Sequence, residues 1–371
     1  MTDTAQNAAR IAFATYRNMN LGTARHFEKL GVSPEDFFEL PARRLAAITG
    51  IRESFFDDGR RSEALAKGRA EATYAADNGI AVNYYTDDTY PHRMLECDDA
   101  PAMLFSLGAM REYRHVVAIV GTRHCTTYGA EFIRRLVKDL SESVDDLAVI
   151  SGLAYGADIA AHRAAIANDV ATGAVFAHGL NTIYPADHRD DARTIVRNGG
   201  FLVTEYPSYG AIHKGNFLAR NRIVAAMADV TVVAESDIRG GAMSTARIAG
   251  AYNREVMALP GRTSDTYSRG CNALIAGGEA SMIRDAADLI AAAGWSARKP
   301  EGTQKELPFL SPEQETIANF LKTNRDATVN DICAALSIPF SRLSSLLFEM
   351  EMEEVVSSLP GGRYCLLNVE A

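Results

Sequence analysis

Residue types that can hold an anion recur through the middle of this 371-residue chain, each time at a glycine-rich turn. The first is Gly121-Thr122-Arg123-His-Cys-Thr-Thr-Tyr-Gly129. Glycine lets the backbone approach a phosphate, a following helix points its N–H groups outward, and Arg123 adds a fork of donors. The second, Ser151-Gly152-Leu-Ala-Tyr-Gly-Ala-Asp-Ile-Ala-Ala-His162, puts Asp158 and His162 four positions apart on one helical face. That pair reads either as an acid–base couple or as an internal hydrogen bond that steadies the loop. The third runs from Thr204 through Lys214-Gly-Asn216-Phe217-Leu-Ala-Arg220-Asn-Arg222, the densest basic-aromatic stretch in the chain. Lys214, Arg220 and Arg222 suit phosphates and Phe217 suits stacking on a base. The alternative places Arg220 and Arg222 in ion pairs with Glu205 or Glu235, and Phe217 in the core. Two further turns are Gly240-Gly-Ala-Met-Ser244-Thr-Ala and Leu259-Pro-Gly-Arg262, the latter followed by Ser268-Arg-Gly270-Cys-Asn272. None is a G-x-G-x-x-G or Walker loop, so neither dinucleotide nor triphosphate binding is indicated. So many turns exceed what one mononucleotide needs and suit a chain of phosphates.

The elements that must position these turns are strands. Val116–Val120, Leu147–Ile150, Ala174–Phe176, Phe201–Val203, Val230–Ala234 and Val256–Leu259 are near-continuous apolar runs separated by amphipathic stretches of helix length. Strands without alternation are buried on both faces, and strand–helix alternation predicts a doubly wound parallel α/β sheet. Its ligands belong at the carboxyl ends of the strands. Residues 1–85 read as a small helical module of sterile-alpha-motif or helix-hairpin-helix type, and 86–295 as the sheet domain. Residues 296–310 read as a polar linker and 311–371 as a winged helix. Ile80–Tyr85 and Met103–Phe105 are shorter strand-like pieces. The helix carrying the basic-aromatic segment is expected over Phe217–Asp229.

The chain carries a formal charge of −9, which argues against a broad basic surface. Yet Glu205–Asn272 holds eight bases against six acids, a local reversal. The segment 311–371 holds four bases against nine acids, which favours a protein contact over a DNA grip. Five scattered cysteines form no CxxC or Cys/His cluster, so no disulfide framework, metal or other cofactor is expected. The start lacks a secretory pattern and no window suits a membrane span, which reads as a cytoplasmic protein.

In order along the chain stand Gly121-Thr-Arg with Tyr128-Gly, Ser151-Gly-x-Ala-x-Gly-x-Asp-x-x-Ala-His162, Gly179-Leu-x-x-x-Tyr-Pro185 and Glu205-x-Pro207. Phe217-x-x-Arg-Asn-Arg222, Pro260-Gly and Gly270-x-Asn-x-Leu-Ile275 follow. This set resembles the DprA (Smf) family of DNA-processing proteins, over Tyr90–Leu289 strongly and over both flanks in outline. The resemblance implies an extended Rossmann fold, a homodimer, cooperative single-stranded DNA binding without enzymatic activity, and loading of the RecA recombinase during natural transformation. It implies DNA contacts from Arg123, Lys214 and Phe217. The candidate interface drawn from all the turns is Gly121, Thr122, Arg123, Ser151, Gly152, Lys214, Asn216, Phe217, Arg220, Arg222, Gly240, Ser244, Gly270 and Asn272. The chain departs from the family pattern at Ala234-Glu235, which reverses an acidic–small order, and at Gly241-Ala242. The competing class is a phosphoribohydrolase of the lysine-decarboxylase-like type. Such enzymes carry Pro-Gly-Gly-x-Gly-Thr and then a catalytic glutamate, whereas Arg239-Gly-Gly-Ala-Met-Ser-Thr245 has no acid directly after it.

Overall fold

The computed structural model describes residues 4–298, 310–324, 327–352, 355–359 and 362–366. Five helices come first: α1 (Thr4–Thr15), α2 (Leu21–Lys29), α3 (Pro34–Glu39), α4 (Ala42–Thr49) and α5 (Asp58–Asp77). Their ends follow local chemistry. Asn20 caps α2, Ser33 and Asp36 form a capping box on α3, and Gly50 closes α4 at φ +69°. Phe13, Phe27, Phe37 and Phe56 meet edge-on inside. The same apolar core continues into the sheet through Met94, Leu104 and Phe105.

Nine strands build that sheet: β1 (Ala81–Tyr84), β2 (Met103–Gly108), β3 (His115–Val120), β4 (Leu147–Ser151), β5 (Ala171–Val175), β6 (Phe201–Thr204), β7 (Val230–Val233), β8 (Glu255–Ala258) and β9 (Ser281–Met282). The spatial order is β1-β2-β6-β5-β4-β3-β7-β8-β9. Pairing from β6 to β9 is parallel, and β2 joins β6 antiparallel. The six long strands expected from the sequence are all present, and the two shorter pieces extend one edge as β1 and β2. Every residue of β3, β4, β6 and β7 is buried, which accounts for their unbroken apolar runs.

Helices α6 (Thr127–Ser143), α7 (Ala157–Ala167), α8 (Arg189–Arg197), α9 (Lys214–Met227), α10 (Gly241–Ala251), α11 (Arg269–Ala276) and α12 (Ala286–Ala292) connect the strands. The chain steps outward from β3 to β6, then returns through α9, which passes over β5, β4 and β3 to deliver β7 beside β3. The strand order therefore reverses between β3 and β7. The fourth strand of the sequence pattern, β6, ends three places from β3 rather than beside the reversal. α9 begins at Lys214, one turn before the expected Phe217, and ends at Met227.

Residues up to Arg298 belong to this first unit: Trp295 packs against the His115 ring at 4.7 Å and Arg298 pairs with Asp145. The remainder of the expected linker, 299–309, lies outside the described residues. The second unit folds as α13 (Pro312–Thr323), β10 (Ala327–Thr328), α14 (Val329–Leu336), α15 (Phe340–Met352), β11 (Val356–Leu359) and β12 (Arg363–Leu366). Its sheet order β10-β12-β11 and its helix–turn–helix make it a winged helix. Capping boxes at Ser311/Gln314 and Thr328/Asp331 start α13 and α14. Among the described residues no single helix is long and apolar enough to cross a membrane.

One buried group makes this fold sensitive to acid. His162 on α7 is fully buried and bonds Thr172 Oγ1 at 2.7 Å, while Thr172 donates to Val149 O. The threonine hydrogen is thus spent, so His162 Nδ1 donates, and burial disfavours a second proton on the ring. Burial pushes its pKa down to about 3. Unfolding restores the ordinary value of about 6.5, so the unfolded chain binds the extra proton between these values. Stability is full above about pH 6.5 and falls by up to about 1.4 kcal/mol per unit below it. Urea unfolding near pH 7.5 and about pH 5 should show this loss, and His162→Gln should reduce it. Parallel losses in both proteins would assign the slope elsewhere.

Candidate nucleic-acid interface

The reversal between β3 and β7 opens a crevice at the carboxyl ends of the strands, where a doubly wound sheet places its ligands. The turns after β3, β4 and β7, together with the first turns of α9, line a cavity of about 420 Å³. Arg123 is exposed at its rim, its guanidinium 5.9 Å from the Phe217 ring centroid. Phe217 is half-buried, edge-on to Tyr184 at 5.6 Å, and belongs to none of the hydrophobic clusters. It forms a wall of the cavity rather than core. Arg239, also exposed, stands on the β7 side.

Lys214 is exposed at the first position of α9, and no side chain caps that helix. Its uncapped N–H groups and the lysine charge both favour an anion there. Lys214 does not line the cavity. It sits one turn before Phe217, at the start of α9.

Arg220 is turned inward. It is 6% exposed, donates to Val175 O at 2.6 Å and lies against Gly152, where any Cβ would overlap its guanidinium. Neither Glu205 nor Glu235 is its partner; the nearby opposite charge is Asp158. Burial drives the Asp158 carboxyl up, and the Arg220 charge opposes that shift. Asp158 Oδ2 accepts from Ala154 N at 3.4 Å, so it steadies its own loop. It is not bonded to His162, which excludes the acid–base couple as the sequence spacing suggested it. Arg222 pairs with Glu205 at 2.5 Å with both side chains mostly buried, the structural alternative.

Several other candidates are tied into the turns, and of these Gly121, Thr122 and Gly240 also line the cavity. Ser151 is buried and donates to Ile119 O at 2.6 Å. Asn216 is buried and donates to Ala211 O at 3.0 Å, bracing the loop before α9. Asn272 exchanges two hydrogen bonds with Gly261. Gly270 N–H donates to Ser236 O at 2.8 Å, and Gly240 N–H to Asp237 O at 2.8 Å. Gly121 packs between Ala157 and the Glu235 backbone, Thr122 N–H donates to Glu235 O, and Ser244 is half-buried in the first turn of α10. Ser151, Asn216 and Arg222 spend their polar groups on positioning the turns, while Arg220 lines the cavity with its guanidinium bonded to Val175 O.

Two carboxylates that pattern reading missed organise the region. Glu235, 3% exposed, accepts from Thr126 N–H and Thr126 Oγ1, both at 2.7 Å. The start of α6 thus already carries the chain's own carboxylate on its capping residue, so an anion approaching this turn meets negative charge there. The Ala234-Glu235 order was its only sequence signal. Glu71 on α5 accepts from Ser208 N–H at 2.7 Å and Ser208 Oγ at 2.6 Å, tying the loop before Lys214 to the helical module. Nothing in local pattern marks Glu71.

The chain matches the family model for DNA recombination-mediator protein A over residues 81–294 and that for the DprA winged helix over 301–362. A Mycobacterium tuberculosis protein named for DNA processing protein DprA is 36% identical over 245 residues, covering 65% of this chain and 62% of that protein. The chain therefore spans less than two thirds of that relative's length. DNA processing protein DprA of Streptococcus pneumoniae is 35% identical over 206 residues, 55% of this chain and 71% of that one. Its solved structure superposes with a TM-score of 0.60 at 29% identity, covering 74% of this chain and 98% of that chain. DNA processing protein A of Helicobacter pylori, solved for its single-stranded DNA binding mode, gives a TM-score of 0.51 at 30% identity, covering 57% and 94%.

The contact between Gly152 and Arg220 has a measurable consequence. Gly152→Ala should cost about 1–3 kcal/mol, because a methyl group must displace a packed guanidinium. In an Arg220→Ala background the same methyl should cost at least 1 kcal/mol less, roughly the coupling expected of touching residues. Additive losses in this double-mutant cycle, read by urea unfolding, would show that the two groups do not meet.

Proposed function

The chain belongs to the DNA recombination-mediator protein A (DprA) family, and from that premise we propose that it binds single-stranded DNA along the carboxyl edge of its sheet. The observation that carries the reading is the rim of the β3/β7 crevice. There Arg123 lies over the half-buried Phe217 ring, with Arg239 and Lys214 exposed nearby. Exposed cations beside an aromatic wall suit a backbone that carries charge and bases that stack. Duplex DNA hides its base faces and gains nothing from Phe217. The relative from Helicobacter pylori supports the reading through its single-stranded DNA binding mode.

The role extends, on the family's pattern, to a homodimer that protects incoming strands in the cytoplasm and loads RecA onto them during natural transformation. No hydrolysis is part of this role. The turn Arg239-Gly-Gly-Ala-Met-Ser-Thr245 carries no acid directly after it, and the phosphate-lysine motif is missing from the sequence. The winged helix contributes little attraction to DNA: α15 exposes Phe340, Phe348 and Met352, and its Arg342 is tied to Glu313 at 2.5 Å.

Binding should be tighter to single strands than to a matched duplex and should weaken as salt is raised. Arg123→Ala and Lys214→Ala should each weaken it by several-fold to about a hundredfold and make the salt dependence shallower. Phe217→Ala should weaken binding with the salt slope unchanged, because stacking releases no counterions. Full affinity in a folded Arg123→Ala, Lys214→Ala double variant would overturn the site. A chain ending at Arg298 should keep most of the affinity of the whole protein; a large loss in that folded chain would give the winged helix a direct part.

A further inference from the structure

A second cleft, of about 760 Å³, lies on the other side of α9. One wall is the loop that precedes Lys214, and the other is formed by α1, the turn after it, and α5 of the helical module. The two clefts use opposite faces of the same helix. Gly215, Ala219 and Arg222 face the helical module, while Phe217, Asn221 and Val224 face the β3/β7 crevice. Helical spacing puts these sets back to back, with Lys214 exposed at the end of the ridge between them.

The cleft is built for a polyanion with flat groups. Its charged residues are Arg17, Arg60, Lys67 and Arg222 against Glu63 and Glu205. Arg222 and Glu205 neutralise one another, and Lys67 is held by Glu63 at 2.7 Å. Arg17 is exposed with no carboxylate ion pair among the described residues, and Arg60, also exposed, shares the Glu63 charge with Lys67. Arg17 is presented on a left-handed backbone, φ 52°, that arginine seldom adopts, with its guanidinium 5.2 Å from the Phe55 ring centroid. Tyr209, 48% exposed, supplies an aromatic face from the loop wall, with its hydroxyl reaching Thr15 of α1 at the facing wall. Glu71 anchors that wall through Ser208, so the cleft has a fixed width.

We infer that the helical module forms a second stretch of the single-strand track: the strand leaves the β3/β7 crevice, crosses Lys214 and continues between Arg17, Arg60 and Tyr209. This rests on the single-stranded DNA reading of the crevice. The module thereby lengthens the occupied site without adding sequence selectivity, since its cations meet phosphates and its tyrosine any base.

Fluorescence anisotropy with oligothymidylates of about 6 and about 20 nucleotides separates the two stretches, lengths that bracket ordinary single-strand sites. In the full chain, Arg17→Ala with Arg60→Ala should weaken binding of the long strand about tenfold and leave the short one unchanged. The long-strand salt slope should fall by about 1.4, two contacts at roughly 0.7 each. Tyr209→Ala should weaken the long strand without changing that slope. Arg189→Ala with Arg197→Ala removes the same charge from exposed positions on α8 and should leave both strands unaffected. Unchanged long-strand affinity in Arg17→Ala/Arg60→Ala overturns the second stretch while the crevice stands. Equal weakening of both strands, or equal weakening by the α8 pair, also overturns it, because the effect is then not local. Failure of the unaltered protein to bind either strand removes the crevice reading itself.

Discussion

The guanidinium of Arg220 holds the working end of the sheet together. It comes from α9, bonds the last carbonyl of β5, faces Asp158 at the start of α7, and lies on the backbone of Gly152 after β4. A buried cation is tolerable only with opposite charge and hydrogen bonds around it, so each of these elements is held in place by the same demand. The consequence is the position of α9. With Arg220 seated, the helix must cross β5 and β4 at close range, and Phe217 on its preceding turn must stand in the β3/β7 crevice. Loss of Arg220 leaves Asp158 as an uncompensated buried carboxyl, which explains why the pair belongs together.

A related economy governs the backbone donors at the turns. Glycine-rich loops ending in helices present N–H groups that need acceptors, and a ligand is one of several possibilities. Here the chain satisfies some of them itself. Glu235 accepts at the start of α6, Asp158 in its own loop, and Glu71 in the loop before α9. The uncapped start of α9 and the exposed cations near it remain for an external anion. Gly152 after β4 and Gly240 after β7 pack closely against Arg220 and Ser236, and Gly156 packs at φ +76° against Thr122 and Arg123, so packing accounts for these three.

Overall charge and local charge point opposite ways, and the local arrangement decides. The chain is acidic at −9, but at physiological salt a screening length of about 8 Å confines each surface charge to its neighbourhood. Arg123, Arg239, Lys214, Arg17 and Arg60 lie around one helix and its two clefts. On the proposed track, an anionic strand would meet positive potential along these positions despite the acidic remainder of the chain.

The sequence by itself determined the sheet, because burial on both faces leaves unbroken apolar runs that survive without tertiary information. β3 through β8, the winged helix and the anion-friendly character of the turns were legible from local pattern. Arg123, Lys214 and Phe217 were legible as chemistry, by residue type and by resemblance to the family. Which of the remaining candidates face outward was decided only in three dimensions. Arg220 and Arg222 stand two residues apart on one helix, yet one is seated under Gly152 and the other pairs with Glu205. The strand order that places β7 rather than β6 beside β3 has no local signature, since it depends on which side the returning helix packs. Glu235 and Glu71 act across 109 and 137 positions of chain, through contacts that exist only after the sheet and the helical module have folded onto one core.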